Sequence, residues 1–302
     1  MRFLVRRQLS QSELVIRKYG TSPTARWARR ALVLPLIFLA AAGGYLLWTY
    51  HGPMPTTEIY HGIFYCCEEV PSGPQSGGLV HWVRADLNVP GVSIFVTPKD
   101  PQAVALGWQY RLQFTMSAVA QQHLAAAVNG TMFATDATWF RWPGDLARSS
   151  ETVVVDHAVS HVDPHSYLLW WDDNLIAHLK KQSPPSAEDL AGAKWAIGSQ
   201  MPLIVNWVVN TPWSGTDVDH RTLIGADSVG RRVWIACFDR ASATYAGEYL
   251  VKLGANFGVT VDGGTSTAMA IGSEAAGVSG GRVVGDFRPV ATQFGFRALP
   301  FK

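Results

Sequence analysis

The run Val259-Thr260-Val261-Asp262-Gly263-Gly264-Thr265-Ser266-Thr267-Ala268-Met269-Ala270-Ile271 constrains this chain more than any other stretch of it. Three β-branched residues read as the end of a buried strand. Asp262 stands where that strand stops, and Gly263 and Gly264 let the backbone turn sharply or come close to a ligand. Thr265, Ser266 and Thr267 place hydroxyls beside freshly exposed backbone N–H groups, and Ala268–Ile271 can run back into buried structure. A carboxylate, a Gly-Gly turn and several donors at a strand end suit a site that grips a polar or anionic ligand. The same residues also suit a tight turn whose Asp satisfies its own loop.

Charge along the chain sets a second constraint. Residues 1–30 carry Arg2, Arg6, Arg7, Arg17, Lys18, Arg26, Arg29 and Arg30 against one acid, Glu13. Ala31 to Tyr50 is then uncharged and mostly apolar, close to the roughly 20 residues that span a bilayer. The pattern predicts a basic cytoplasmic tail, a single-pass transmembrane signal anchor at 31–50, and a C-terminal domain on the extracytoplasmic side of a bacterial inner membrane. A signal peptide cut after Ala40-Ala41-Ala42 is the competing reading; the long basic region and the apolar residues beyond the small cluster favour the anchor. The net charge of +2 gives no support to nucleic-acid binding.

Cys66, Cys67 and Cys237 fit no zinc spacing, and adjacent cysteines rarely bridge each other. One of the pair can join Cys237 in an oxidising compartment, leaving an odd thiol.

Residues 51–78 are rich in Pro, Gly and Ser and read as a stalk or linker, with the folded domain at 79–302. His81–Leu87 and Val92–Thr97 read as paired strands about a turn at Asn88–Gly91. Thr115 or Ser117 can cap a helix reaching Ala127, which runs into Val128-Asn129-Gly130-Thr131. Further strands fall at Thr152–Val155, Tyr167–Trp171 and Trp195–Asn206, the last interrupted by a Gly-Ser-Gln turn. A hairpin joins Arg221–Gly225 to Arg232–Phe238, and a helix at Ala246–Gly254 precedes the central strand. His157, His161 and His165 are evenly spaced, but Pro164 breaks any helix that would align them as metal ligands. Mostly strands with two recognisable helices predict an α+β fold: a mixed, largely antiparallel twisted sheet with a few packed helices, preceded by one N-terminal transmembrane helix.

Several pieces match one family in order. They are Asp-Leu-Asn-Val-Pro at 86–90, Val-Asn-Gly-Thr-Met-Phe at 128–133, Arg-Thr-Leu-Ile-Gly-Ala-Asp at 221–227, Val-Asp-Gly-Gly-Thr-Ser at 261–266 and Arg-Pro-Val-Ala at 288–291. Over roughly 79–299 the chain resembles the phosphodiester glycosidase domain family, whose bacterial members are often described as exopolysaccharide biosynthesis proteins. It departs from that pattern at Thr131 and Thr265, where the family commonly has glycine, so pocket shape and substrate are where it should differ.

The resemblance implies hydrolysis of a sugar-1-phosphodiester in envelope or exopolysaccharide metabolism. Such chemistry must hold the phosphate, position the sugar and manage charge as the anomeric bond breaks through an oxocarbenium-like state. Arg221 and Arg288 are the expected guanidinium clamps. Asp262 is the leading carboxylate, as nucleophile, base or metal ligand, ionised beside arginines, and Asp136 is the second candidate. Asn129, Gly130, Thr222, Gly263, Gly264 and Ser266 complete the expected substrate- and phosphate-binding set. A divalent cation can sit on Asp262, but no spacing demands one. An aspartic-protease loop is excluded because Gly263 follows Asp262 and no second copy exists. The phosphate loop of sugar kinases separates its Asp from the glycines, which this chain does not. A non-catalytic glycan-binding or envelope-scaffold module remains the alternative. Convergence of Asp262, Arg221, Arg288 and Asn129 in one cleft separates the two.

Overall fold

Runs of β-branched and aromatic residues become short strands, the commonest regular element among the described residues. The computed structural model describes residues 52–137, 140–180, 185–200, 202–210 and 217–302. The basic tail and apolar span expected at 1–50 lie outside them. Among the described residues no helix is long and apolar enough to cross a membrane.

In chain order, β1 (Met54–Tyr60), β2 (Ile63–Glu69) and β3 (Ser76–Asp86) form an antiparallel meander. β4 (Ser93–Val96) is followed by helix α1 (Pro101–Ala105), capped by Asp100, and by β5 (Tyr110–Arg111). Helix α2 (Thr115–Gln122) stops at His123, which adopts left-handed backbone, and feeds β6 (Ala126–Asn129). Then come β7 (Phe133–Thr135), β8 (Leu146–Ser149), β9 (Val153–Val155), β10 (Ala158–His161), β11 (Tyr167–Trp171) and β12 (Ala177–Lys180). Helix α3 (Ala187–Gly192) opens on a Ser186/Asp189 capping box and leads to β13 (Trp195–Ser199), β14 (Pro202–Val205) and β15 (Val208–Val209). The long hairpin β16 (Val218–Ala226) and β17 (Arg232–Ser242) runs into helix α4 (Ala243–Leu253). Last are β18 (Phe257–Thr260), a 3-10 turn at Gly264–Ser266, β19 (Ala268–Ile271), β20 (Gly281–Gly285) and β21 (Gln293–Arg297).

These strands form four sheets rather than one. The largest has the order β1-β2-β3-β17-β16-β18-β14-β15, and the others are β10-β9-β13-β11-β12, β20-β19-β6-β21-β4 and β5-β8-β7. The main core lies between sheets: Ile63, Val83, Ile224, Ile235 and Val259 of the large sheet meet Val128, Met269, Phe294 and Phe296 of the sheet around β6, with Leu169 and Trp171 beside them. The opposite face of the large sheet packs Leu223, Trp234 and Phe238 against Ala246 and Leu250 of α4. Buried on both faces, the second half of β16 (Leu223-Ile224-Gly225-Ala226) and β18 read as continuous apolar runs rather than alternating ones.

Several expectations change. Residues 54–69 are the edge strands of the large sheet, not a stalk, because Ile59, Ile63 and Tyr65 are buried in the core. The runs at 81–87 and 92–97 do not pair with each other; β3 lies between β2 and β17, and β4 pairs with β21. The Gly-Ser-Gln turn likewise joins two sheets, since β13 pairs with β11 and β9 while β14 pairs with β18. Helix α2 ends five residues short of Ala127, and neither Thr115 nor Ser117 caps it. Asp286 does so from across the chain, accepting from the N–H groups of Thr115 at 2.7 Å and Met116 at 2.9 Å. All three cysteines are buried, and no disulfide joins them. His81 sits between Cys67 and Cys237 in register, so those two lie two strands apart, about 9–10 Å, beyond the reach of a disulfide. Cys66 points to the other face.

Candidate active site

The ends of β6 and β18 and the middle of β16 meet at one buried side chain. Asn129 accepts at Oδ1 from the Thr222 hydroxyl (2.7 Å) and from the Ala268 N–H (3.0 Å), and donates from Nδ2 to the Asp262 carbonyl (2.5 Å). The Asp262 N–H closes the loop by donating to the Gly130 carbonyl at 3.1 Å. A fully buried amide with both ends used is a bolt. Asn129 and Thr222 therefore fix the Asp262 turn rather than face a ligand. Gly130 is required by packing, since a Cβ there would stand 2.5 Å from the Thr292 hydroxyl. At the turn itself, a Cβ on Gly263 would meet the His220 carbonyl at 2.9 Å, and Gly264 has φ of +58°.

Two carboxyls share the site. Burial raises Asp262 above its usual range, opposed by the Ser266 hydroxyl, the Gly263 N–H and the charge of Arg141. The second carboxyl is Glu151, only 3% exposed. Burial pushes it up to about 8, the Met132 N–H pulls it down, and the nearby charge of Asp262 raises it further. Its position is built locally: the Ser149 hydroxyl donates to the Glu151 carbonyl at 2.7 Å, and Met132 N–H donates to Oε2 at 2.7 Å. Gly198 of β13 leaves room for it, as a Cβ there would lie 2.9 Å from that of Glu151. Asp136 is placed elsewhere. It is exposed, and its Oδ1 accepts from the Leu146 N–H at 3.0 Å, pinning the start of β8.

Two guanidiniums converge on the ring of Phe133: Arg141 at 5.0 Å from its centroid and Arg288 at 5.2 Å. Arg288 Nη1 also donates to the Thr265 hydroxyl at 3.0 Å, which ties it to the Asp262 turn. Arg141 Nη1, Arg288 Nε and the hydroxyls of Ser266 and Thr267 are buried without a hydrogen-bond partner. The Ser266 hydroxyl stabilises the Asp262 carboxylate electrostatically without closing a well-formed bond. Unused buried donors beside two cations are what an anionic ligand would satisfy. Arg221 is not among them. Its Nε and Nη2 hold the carbonyls of Ala241 (3.3 Å) and Asp217 (2.8 Å), because alternation along β16 turns it away from the face Thr222 presents.

The structure thus joins Asn129, Gly130, Thr222, Asp262, Gly263, Gly264, Ser266 and Arg288, and adds Glu151 and Arg141. Among the described residues no group of three or more His, Cys, Asp or Glu is placed to hold a metal ion; His157 instead faces Asp173 at 3.2 Å. Residues 122–297 match the phosphodiester glycosidase family model, more than half of the chain. The chain belongs to the phosphodiester glycosidase family.

Among curated protein sequences none matches it. Solved structures share its fold at low identity. The catalytic domain of zebrafish N-acetylglucosamine-1-phosphodiester alpha-N-acetylglucosaminidase, auto-inhibited by its pro-peptide, superposes with a TM-score of 0.56 at 13% identity, covering 82% of this chain and 88% of that one. A hypothetical protein from Synechocystis gives 0.56 at 12% identity over 82% of this chain and 64% of its own. An exported protein from Burkholderia pseudomallei gives 0.50 at 12% identity over 74% of each.

Proposed function

We propose that this phosphodiester glycosidase family member is a membrane-anchored, extracytoplasmic hydrolase that cleaves the sugar–oxygen bond of a sugar-1-phosphodiester in envelope or exopolysaccharide metabolism. One observation carries the reading: Asp262 and Glu151 stand together beside two arginines whose buried N–H groups are unused. The zebrafish relative's name places a sugar-1-phosphodiester in its own site, and the donors here suit the same ligand class.

In this reading Arg141 and Arg288 hold the phosphate oxygens, with the Thr267 hydroxyl able to add a neutral donor. Asp262, the carboxyl with more groups favouring its ionised form, stabilises positive charge developing at the anomeric carbon, or attacks it. Glu151 remains protonated near neutral pH. Two ionised carboxyls beside an anionic phosphate would repel the substrate, so holding one neutral removes that repulsion. Its proton can pass to the departing phosphate, already a good leaving group.

Hydrolysis of a panel of sugar-1-phosphodiesters by the purified full chain, with and without a divalent cation and beside Asp262→Ala, tests the proposal. Release of a reducing sugar that disappears in the variant is expected. Equal release by the variant, or none by the native chain, overturns it.

A further inference from the structure

Outside the clamp, apolar surface is concentrated where the arginines emerge. The three most exposed large hydrophobic residues among those described are Phe140 (76%), Phe287 (72%) and Trp142 (66%). Each is the immediate chain neighbour of a clamping arginine: Phe140 and Trp142 flank Arg141, and Phe287 precedes Arg288. Both guanidiniums lie within about 5 Å of the Phe133 ring, so the two chain segments that carry the three exposed rings meet beside it. Arg282 braces the Phe287 ring, with its guanidinium 4.6 Å from the centroid. Large rings left in water gain free energy when something apolar covers them, and exposed apolar surface beside a polar site marks a place where a ligand or partner does so.

The polar and apolar parts of the site are segregated. Asp262, Glu151 and the unpaired hydroxyls of Ser266 and Thr267 lie inward, where sugar hydroxyls find partners. Cations lie next, and bare rings outermost. A ligand matching that sequence is an amphiphile: sugar inside, phosphate on the arginines, hydrocarbon on the rim. We propose that the alcohol on the far side of the phosphodiester is a lipid alcohol, bound by Phe140, Trp142 and Phe287. This inference rests on the phosphodiester reading for its sugar half, while the rim and clamp are testable alone.

The test is a calorimetric titration of the purified full chain with methyl phosphate and with octyl phosphate below its micelle concentration. A methylene taken wholly out of water is worth about fourfold in affinity, so partial cover of seven more carbons should tighten binding by roughly tenfold or more. In a Phe140→Ser, Trp142→Ser, Phe287→Ser variant that preference should fall to within about threefold. Trp142→Ser alone, read by the same ratio, serves if the triple variant does not fold. A native preference below about threefold, or one that the substitutions leave intact, overturns the proposal. So does a disaccharide 1-phosphate that binds more tightly than octyl phosphate and loses its advantage in the variant, which would make the rim a sugar platform. The methyl and octyl diesters of one sugar 1-phosphate then separate the two readings. Octyl preference in binding with neither ester hydrolysed keeps the lipid rim and removes the hydrolase; hydrolysis of both at equal kcat/KM does the reverse.

Discussion

Replacing Glu151 by Gln should make the protein more stable at high pH, although it alters a buried site residue. Gln keeps an oxygen to accept from the Met132 N–H but cannot ionise. Glu151 titrates near 8 in the folded chain against its ordinary 4.5. A carboxyl raised in this way binds its proton more tightly when folded, so its stabilising effect is complete below pH 4.5 and is lost as pH rises through 8. Fully ionised, it costs the fold about 5 kcal/mol, and about 4 kcal/mol of that falls between roughly pH 5 and 8. Urea denaturation of the native chain and of Glu151→Gln at a series of pH values measures the difference directly. The two stability curves should draw apart with rising pH, the native chain falling by several kcal/mol more than the variant. Parallel curves from pH 5 to 9 would show that Glu151 ionises normally and refute the neutral-acid argument.

Arg141→Ala and Arg288→Ala should each weaken binding of the phosphodiester by roughly 10- to 150-fold, the value of a charge-assisted hydrogen bond of about 1.5–3 kcal/mol; competition by inorganic phosphate measures it, and lysine should rescue poorly. Asn129→Ala strands the Thr222 hydroxyl, the Ala268 N–H and the Asp262 carbonyl, and should cost about 3 kcal/mol or more in a urea titration. Asp136→Asn should leave kcat/KM within about twofold, as expected of an exposed loop acid, whereas Asp262→Asn should abolish turnover; a steady-state comparison of the two decides which carboxylate is catalytic.

The turn at 262–266 was legible because its glycines and strand ends are local features. Sheet partners were not. The β16/β17 hairpin follows from its turn at 227–230, but the turns after Asp86 and Ser199 carry the chain between sheets, and nothing local distinguishes a hairpin from a crossing. Arg221 and Arg288 look alike in sequence; strand alternation turns one onto carbonyl groups and leaves the other beside the Asp262 turn. Asn129 reads in sequence as a substrate- or phosphate-binding residue, yet its amide is consumed by three chain segments that meet only in the fold. Glu151 follows two serines with no motif around it. Its importance comes from burial, from the space left by Gly198 forty-seven positions away, and from the charge of Asp262. Arg141 stood in view between two aromatics, and that pattern of a cation flanked by apolar rings is the signal that could have selected it.

On the proposed function, the bond that breaks is the sugar–oxygen bond and not the phosphorus–oxygen bond. Turnover of a sugar-1-phosphodiester in oxygen-18 water, followed by mass spectrometry of both products, reads this directly. One heavy oxygen is expected in the released sugar and none in the phosphate monoester. Heavy oxygen in the phosphate product would mean attack at phosphorus, and would contradict the action of Asp262 at the anomeric carbon and of Glu151 on the departing phosphate.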